Sequence, residues 1–94
     1  MSTMAARLVS ELTERGETLS FCESLTAGLA SATVASVPGA SAVLRGGLIT
    51  YATEVKSHFL HQTVADIEAA GVVSGETALA MARAAVAETA ADWG

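Results

Sequence analysis

A serine and the only lysine of the chain are the two residues whose types and spacing could do chemistry. Ser24 lies in the run Glu23–Gly28 (ESLTAG), and Lys56 follows Tyr51 by five residues. Serine becomes a strong nucleophile when a base removes its proton. A lysine amine acts as such a base when its surroundings lower its pKa toward neutrality. The pair therefore predicts a Ser–Lys hydrolytic site.

Each of these residues also has a plainer interpretation. Ser24 stands where a strand should turn into a helix, so its hydroxyl can simply cap that helix. The same position lets it project beside backbone N–H groups that would stabilise an oxyanion. Lys56 could be a solvated charge on a short helix. Tyr51 could relay a proton or orient the lysine, or place its ring in the core and its hydroxyl in water.

The apolar pattern and the turn residues divide the chain into helices and strands. Helices are predicted at about 4–15, 26–35, 54–60, 64–70 and 75–90, and strands at about 18–22 and 43–51. The expected N-caps are Ser2 or Thr3, Thr53, Thr63 and Ser74, and Gly16 and Gly71 should end helices. The helix at 26–35 is apolar nearly all round, which predicts burial. Gly46 and Gly47 interrupt a strand, which is typical of a bulge or a close backbone approach.

This order of elements predicts one layered α/β domain over residues 1–94. Two strands are a small platform for so many helices. We therefore expect an incomplete domain, either truncated or completed by another chain.

The composition excludes several functions. The chain has 94 residues and a net charge of −5, and its five cations are scattered, so neither nucleic acid nor an anionic membrane surface is an expected partner. Cys22 is the only cysteine, which leaves no internal disulfide or CxxC pair. His58 and His61 lack further ligands, so no metal and no cofactor is expected. Without a membrane span or a leader pattern, the cytoplasm is the predicted location.

Four motifs in order resemble one family. Glu23–Gly28 resembles E-S-C-T-G-G of the CinA C-terminal domain family, and Val37–Ser41 (VPGAS) resembles its V-P-G-S-S. Gly46-Gly47 followed by Tyr51–Lys56 (YATEVK) resembles G-G followed by Y-S-N-x-x-K. Gly71–Glu76 (GVVSGE) resembles G-A-V-S-E-E, and the match runs from about Thr18 to the end.

The resemblance implies an α/β/α sandwich and an activity. Members of the family include nicotinamide-nucleotide amidases, which cleave nicotinamide mononucleotide to nicotinate mononucleotide and ammonia. Carried over, Ser24 would be the nucleophile, Lys56 the general base and Tyr51 an assisting group. The predicted substrate-binding residues are Glu23, Thr26, Ala27, Gly28 and Gly47. A homo-oligomer is the expected assembly.

The chain departs from the family pattern at several positions. Leu25 replaces a cysteine, and Ala27 replaces the first glycine of a pair. Family domains also continue into a further strand and a glycine-rich loop. Two alternatives follow from these departures. One is a non-catalytic oligomerisation or interaction module, and the other is a different small-amide or ester hydrolase with a changed pocket.

Overall fold

The computed structural model of the protein describes residues 3–94, and its elements follow the predicted order. They are α1 Met4–Arg15, β1 Leu19–Glu23, α2 Leu29–Ala35, a 3₁₀ turn Ala40–Ala42, β2 Leu44–Ile49, α3 Thr53–Leu60, α4 Val64–Ala70 and α5 Gly75–Thr89. None of the helices in this part of the chain is long and apolar enough to span a bilayer.

The helix caps follow from local sequence with one exception. The hydroxyls of Thr3, Thr63 and Ser74 each accept a hydrogen bond from a backbone N–H three residues on, as N-caps should. Thr53 was expected to cap α3, and that prediction is wrong. Ala52 is the N-cap and Thr53 is already the first helical residue. The alternative cap Ser2 lies outside the described residues.

The two strands pair in parallel, from Leu19↔Leu44 to Glu23↔Ile49. Ser20 pairs with Gly46, so Arg45 is an extra residue at a bulge, as the glycines predicted. Trp93 forms an isolated parallel bridge with Leu19 on the other side of β1. Trp93 thus lies where a third strand would pair with β1.

Helices cover both faces of this sheet. On one face, α1, α2 and the 3₁₀ turn enclose a core with β1, made of Val9, Leu12, Leu19, Val34, Ala40 and Val43. Helix α5 packs against both strands and buries Ala84 and Ala85 outside that cluster. Helices α3 and α4 pack against each other and against α5. The layered α/β/α arrangement is the predicted fold class.

Helix α2 differs from its prediction in both start and burial. Ala27 (φ 51°) and Gly28 (φ 100°) are left-handed, so no helix can run through them and α2 begins at Leu29. Only Val34 of this helix is fully buried, and Leu29 is 63% exposed. The prediction of burial all round is wrong, because the described residues cover one side of α2 only.

Candidate active site

Ser24 and Lys56 meet at the carboxyl ends of the two parallel strands. Lys56 Nζ donates a hydrogen bond to Ser24 Oγ at 2.8 Å. Ser24 directly follows β1, while Lys56 lies in the first turn of α3, which begins four residues after β2 ends. Parallel strands end at the same edge of a sheet, so the two side chains converge there. The pairing is the one that the sequence predicted.

Lys56 is a buried lysine held by backbone carbonyls. It is 1% exposed, and its Nζ also donates to Thr50 O at 2.6 Å and to Tyr51 O at 3.1 Å. Among residues 3–94 it forms no ion pair with a carboxylate. Burial of an ionisable group without a counter-ion is costly. Its position therefore argues against the solvated surface charge that was the plainer interpretation.

Tyr51 contributes to this arrangement through its backbone. Its carbonyl accepts from Lys56 Nζ, while the residue as a whole is 67% exposed. The alternative of a ring in the core is wrong, because the ring lies on the surface. The exposed side chain is accessible from solvent.

Glu23 is nearly enclosed, at 6% exposed, and receives four hydrogen bonds. Thr26 Oγ1 and the Ala30 N–H donate to Oε1 at 2.7 and 2.9 Å. The Ser31 N–H and Oγ donate to Oε2 at 2.9 and 2.6 Å. Burial by itself would raise the pKa of Glu23, but the bonds from Ser31, Thr26 and Ala30 outweigh it and lower the pKa to about 2. The carboxylate is therefore ionised at neutral pH.

The turn between Ser24 and α2 contains the other predicted binding residues. The Thr26 hydroxyl donates a hydrogen bond to Glu23 Oε1, and the Ala27 N–H donates to Ser24 O at 3.0 Å. Gly28 is left-handed, and a Cβ there would contact Ile49 Cδ1 at 3.1 Å. Thr26 and Ala27 are exposed, so their outer surfaces are open to a ligand.

Gly47 faces α2 at close range. A Cβ built at this position would overlap Ser31 Oγ, the same hydroxyl that donates to Glu23. The close approach that the paired glycines predicted is therefore present at Gly47. The group that approaches Gly47 is the Ser31 side chain.

Two contributors to the site carried no signal in the sequence. Thr50 is 0% exposed, and its N–H donates to Glu23 O at 2.7 Å while its own carbonyl accepts from Lys56. Ser31 reaches Glu23 from eight residues further along the chain. Thr50 acts mainly through its backbone, which every residue type has, so its type could not reveal the role.

The backbone donors available to an oxyanion differ from those expected at the helix start. Glu23 occupies the N–H groups of Ala30 and Ser31, and Leu29 N–H donates to Thr26 O. The N–H groups of Leu25 and Thr26 have no acceptor within residues 3–94. These two lie immediately after Ser24, where an oxyanion would form.

The remaining candidate groups do not form a second site. The described residues contain no cluster of three or more His, Cys, Asp or Glu side chains able to hold a metal. Cys22 Sγ lies 3.6 Å from Thr50 Oγ1, and burial raises the pKa of its thiol. That thiol is therefore protonated at neutral pH.

The structure is a layered α/β domain in which Ser24 and Lys56 form a hydrogen-bonded pair at the strand ends. The model of the CinA C-terminal domain family matches residues 1–94. The chain therefore belongs to the CinA C-terminal domain family, as its four motifs indicated.

Curated relatives and solved structures agree with this assignment. A competence-damage inducible protein of Streptococcus pneumoniae is 44% identical over 93 residues, which are 99% of this chain and 22% of that protein. The crystal structure of a competence/damage inducible protein from Agrobacterium tumefaciens superposes with a TM-score of 0.88 at 31% identity, covering 98% of this chain and 60% of that one. A CinA superfamily structure from Escherichia coli has a TM-score of 0.87 at 23% identity, covering 94% of this chain and 51% of that one, and supports the fold alone. The chain thus spans about a fifth of the curated relatives and about half to three fifths of the solved ones.

Proposed function

We propose that this chain carries the nucleophile and base of an amidohydrolase that converts nicotinamide mononucleotide to nicotinate mononucleotide and ammonia. The observation that carries the proposal is the 2.8 Å contact between Lys56 Nζ and Ser24 Oγ, together with the burial of Lys56. The reaction type rests on this geometry. The substrate rests on the family resemblance.

The hydrogen bonds around Lys56 suit a base that cycles between two protonation states. A protonated amine has three N–H donors, which match Ser24 Oγ, Thr50 O and Tyr51 O. A neutral amine has two donors and a lone pair. With the donors on the two carbonyls, the lone pair faces the Ser24 hydroxyl and accepts from it. No side chain has to move for the proton to pass between them.

In the first half-reaction, Ser24 Oγ attacks the carboxamide carbon while its proton passes to neutral Lys56 Nζ. The carbonyl oxygen becomes an oxyanion, and the N–H groups of Leu25 and Thr26, which have no acceptor within residues 3–94, are the donors we propose for it. Collapse of this intermediate breaks the C–N bond. The departing nitrogen takes the proton from Lys56 and leaves as ammonia, and the acyl group stays on Ser24 Oγ as an ester.

In the second half-reaction, water replaces ammonia as the partner of Lys56. Lys56 Nζ takes a proton from the water as its oxygen attacks the ester carbon. Collapse then breaks the bond to Ser24 Oγ, which recovers its proton from Lys56. The product acid loses its proton to solvent, and the dyad returns to its starting state.

The nucleotide part of the substrate needs contacts beyond this dyad. Arg15 pairs with Glu11 and Glu17, and Arg45 Nε donates to Thr89 O, so both arginines already have partners within the chain. The solved relatives are longer than this chain. We expect the additional segment of such relatives, or a second copy in a homo-oligomer, to supply the phosphate contacts.

The test is release of ammonia from nicotinamide mononucleotide by the purified protein and by Ser24→Ala, Lys56→Ala and Lys56→Arg. Each variant should lose at least about a thousandfold in kcat/KM. Lys56→Arg is the sharpest of them, since arginine keeps the positive charge but cannot become a neutral base. Ser10→Ala, an exposed serine on α1, serves as the matched control and should keep full activity.

Three results would overturn this proposal. Activity retained in Ser24→Ala would mean that Ser24 is not the nucleophile. A folded chain that is inactive at all concentrations, alone and with added full-length relative, would favour the non-catalytic module. Ester hydrolysis that Lys56→Ala removes, without any release of ammonia, would instead favour the different small-molecule hydrolase.

A further inference from the structure

Glu23 directly precedes Ser24, but its carboxylate is hydrogen-bonded to neither Ser24 Oγ nor Lys56 Nζ. Successive residues of a strand point to opposite faces. The Ser24 hydroxyl therefore turns toward α3 and Lys56, while the Glu23 carboxylate turns toward α2. All four hydrogen bonds of the carboxylate come from the protein itself. A residue enclosed in this way is poorly placed to bind substrate.

The carboxylate supplies a cap that α2 lacks. The N-cap position of this helix is Gly28, which has no side chain to accept from the first turn. Glu23 accepts instead from the second and third residues of the helix, Ala30 and Ser31. These are the donors that a capping serine or aspartate would normally satisfy.

The same carboxylate closes the turn that carries Ser24. Thr26 Oγ1 donates to Oε1, which fixes the middle of the turn against the end of β1. Ala27 has φ 51°, a left-handed conformation that is unfavourable for a residue with a Cβ. The turn therefore needs support from outside itself, and Glu23 is the group that contacts both its middle and the helix that follows.

The backbone of Glu23 connects this turn to Lys56. Its carbonyl accepts from Thr50 N–H at 2.7 Å, and Thr50 O accepts in turn from Lys56 Nζ at 2.6 Å. One residue thus links α2, the Ser24 turn and the carbonyl that holds the lysine.

From these contacts we infer that Glu23 is a positioning residue of the hydrolytic site. Its carboxylate locks the turn 24–28 onto α2 so that Ser24 Oγ stays within hydrogen-bonding distance of Lys56 Nζ. The catalytic part of this inference rests on the proposed amidase function, whereas its geometric part can be tested without any activity.

The geometric test uses the fact that Lys56 is the only lysine. Selective ¹³C labelling of lysine gives a single Cε signal, which reports directly on the surroundings of the Lys56 amine. Glu23→Gln replaces one acceptor by a donor that faces the Ser31 N–H and hydroxyl. We expect it to move the Lys56 signal in the same direction as Ser24→Ala does, because both disturb the contact between Ser24 and Lys56.

Two further variants keep the test informative if Glu23→Gln unfolds. Ser31→Ala removes one donor to the carboxylate and leaves the charge in place, so we expect a smaller shift of the Lys56 signal in the same direction. Glu88→Gln makes the identical chemical change on an exposed position of α5 and should leave the signal unchanged. A folded Ser31→Ala or Glu23→Gln with an unmoved Lys56 signal would overturn the inference.

The catalytic test separates positioning from binding. For a misplaced nucleophile we expect kcat for ammonia release to fall about 10- to 100-fold in Glu23→Gln, with KM changed less than about threefold. A rise in KM with kcat unchanged would mean that Glu23 binds substrate and would overturn the inference. An inactive wild type would contradict the amidase proposal alone, since the Lys56 signal would still decide the geometric claim.

Discussion

At the scale of single residues, the site depends on which side chains are small as much as on which are reactive. Ser31 can reach Glu23 only because Gly47, on the neighbouring strand, leaves its Cβ position empty. A glycine in a strand interior normally weakens the strand. At this position the missing side chain makes room for a hydrogen bond to a buried carboxylate, so it stabilises the β1–α2 junction.

Substitution of Gly47 by alanine should therefore destabilise the protein. The added methyl group would overlap Ser31 Oγ, and the strain of such overpacking is typically about 1–3 kcal/mol. Urea unfolding followed by circular dichroism measures this loss. Gly75→Ala is the matched control, because a Cβ there meets nothing within 4 Å and the position is the first residue of α5. It should leave stability unchanged or raise it by less than about 1 kcal/mol. Equal effects of the two substitutions would contradict the role given to Gly47.

At the scale of elements, the junction between β1 and α2 is the part of the fold that could not be predicted from the sequence. The caps at Thr3, Thr63 and Ser74 were predictable, because each acts on a donor three residues away. The cap of α2 comes from Glu23, which lies before a turn with left-handed residues, and no local rule connects the two. The dyad was predictable from residue types and motif order. Its carbonyl partners were not, since backbone contacts leave no trace in the sequence.

The lowered pKa of the Glu23 carboxylate predicts how the stability of the protein depends on pH in acid. The pKa of Glu23 is about 2 in the folded protein, against an ordinary value of 4.5. A lowered folded pKa means that the stabilisation is fully present above about pH 4.5 and is lost as the pH falls toward 2. Its full size is on the order of 3 kcal/mol. We expect the difference in unfolding free energy between the wild type and Glu23→Gln to be large at pH 6 and less than half as large at pH 3.

Urea titrations of both proteins at the two pH values measure this difference. Glu88→Gln controls for loss of an exposed carboxylate and should follow the wild type at each pH. Parallel pH dependences for the wild type and Glu23→Gln would mean that the carboxylate of Glu23 is not held in its charged form by the fold.

At the scale of the whole molecule, the sheet formed by residues 3–94 has a largely unpaired outer edge along β1. Trp93 pairs with the start of β1, where Ser20 N–H donates to Trp93 O at 3.0 Å. Backbone donors alternate between the two sides of a strand, so Cys22 N–H points to the same outer side, beyond the reach of Trp93. Several apolar side chains are also exposed, namely Leu25, Leu29, Tyr51 and Val73. An unpaired strand edge and exposed apolar side chains each favour association with another chain.

Hydrogen exchange can locate that association at one amide. If copies of this chain pair along the open side of β1, Cys22 N–H should become more protected as protein concentration rises from the micromolar to the millimolar range. Leu19 N–H is the internal control, because it donates to Val43 O at 2.8 Å within the chain and should be protected at every concentration. Sedimentation velocity over the same range would establish whether oligomers form. Oligomers that leave Cys22 N–H unprotected would place the interface on the exposed apolar side chains instead of the strand edge, and a monomer at all concentrations would contradict the expected homo-oligomer.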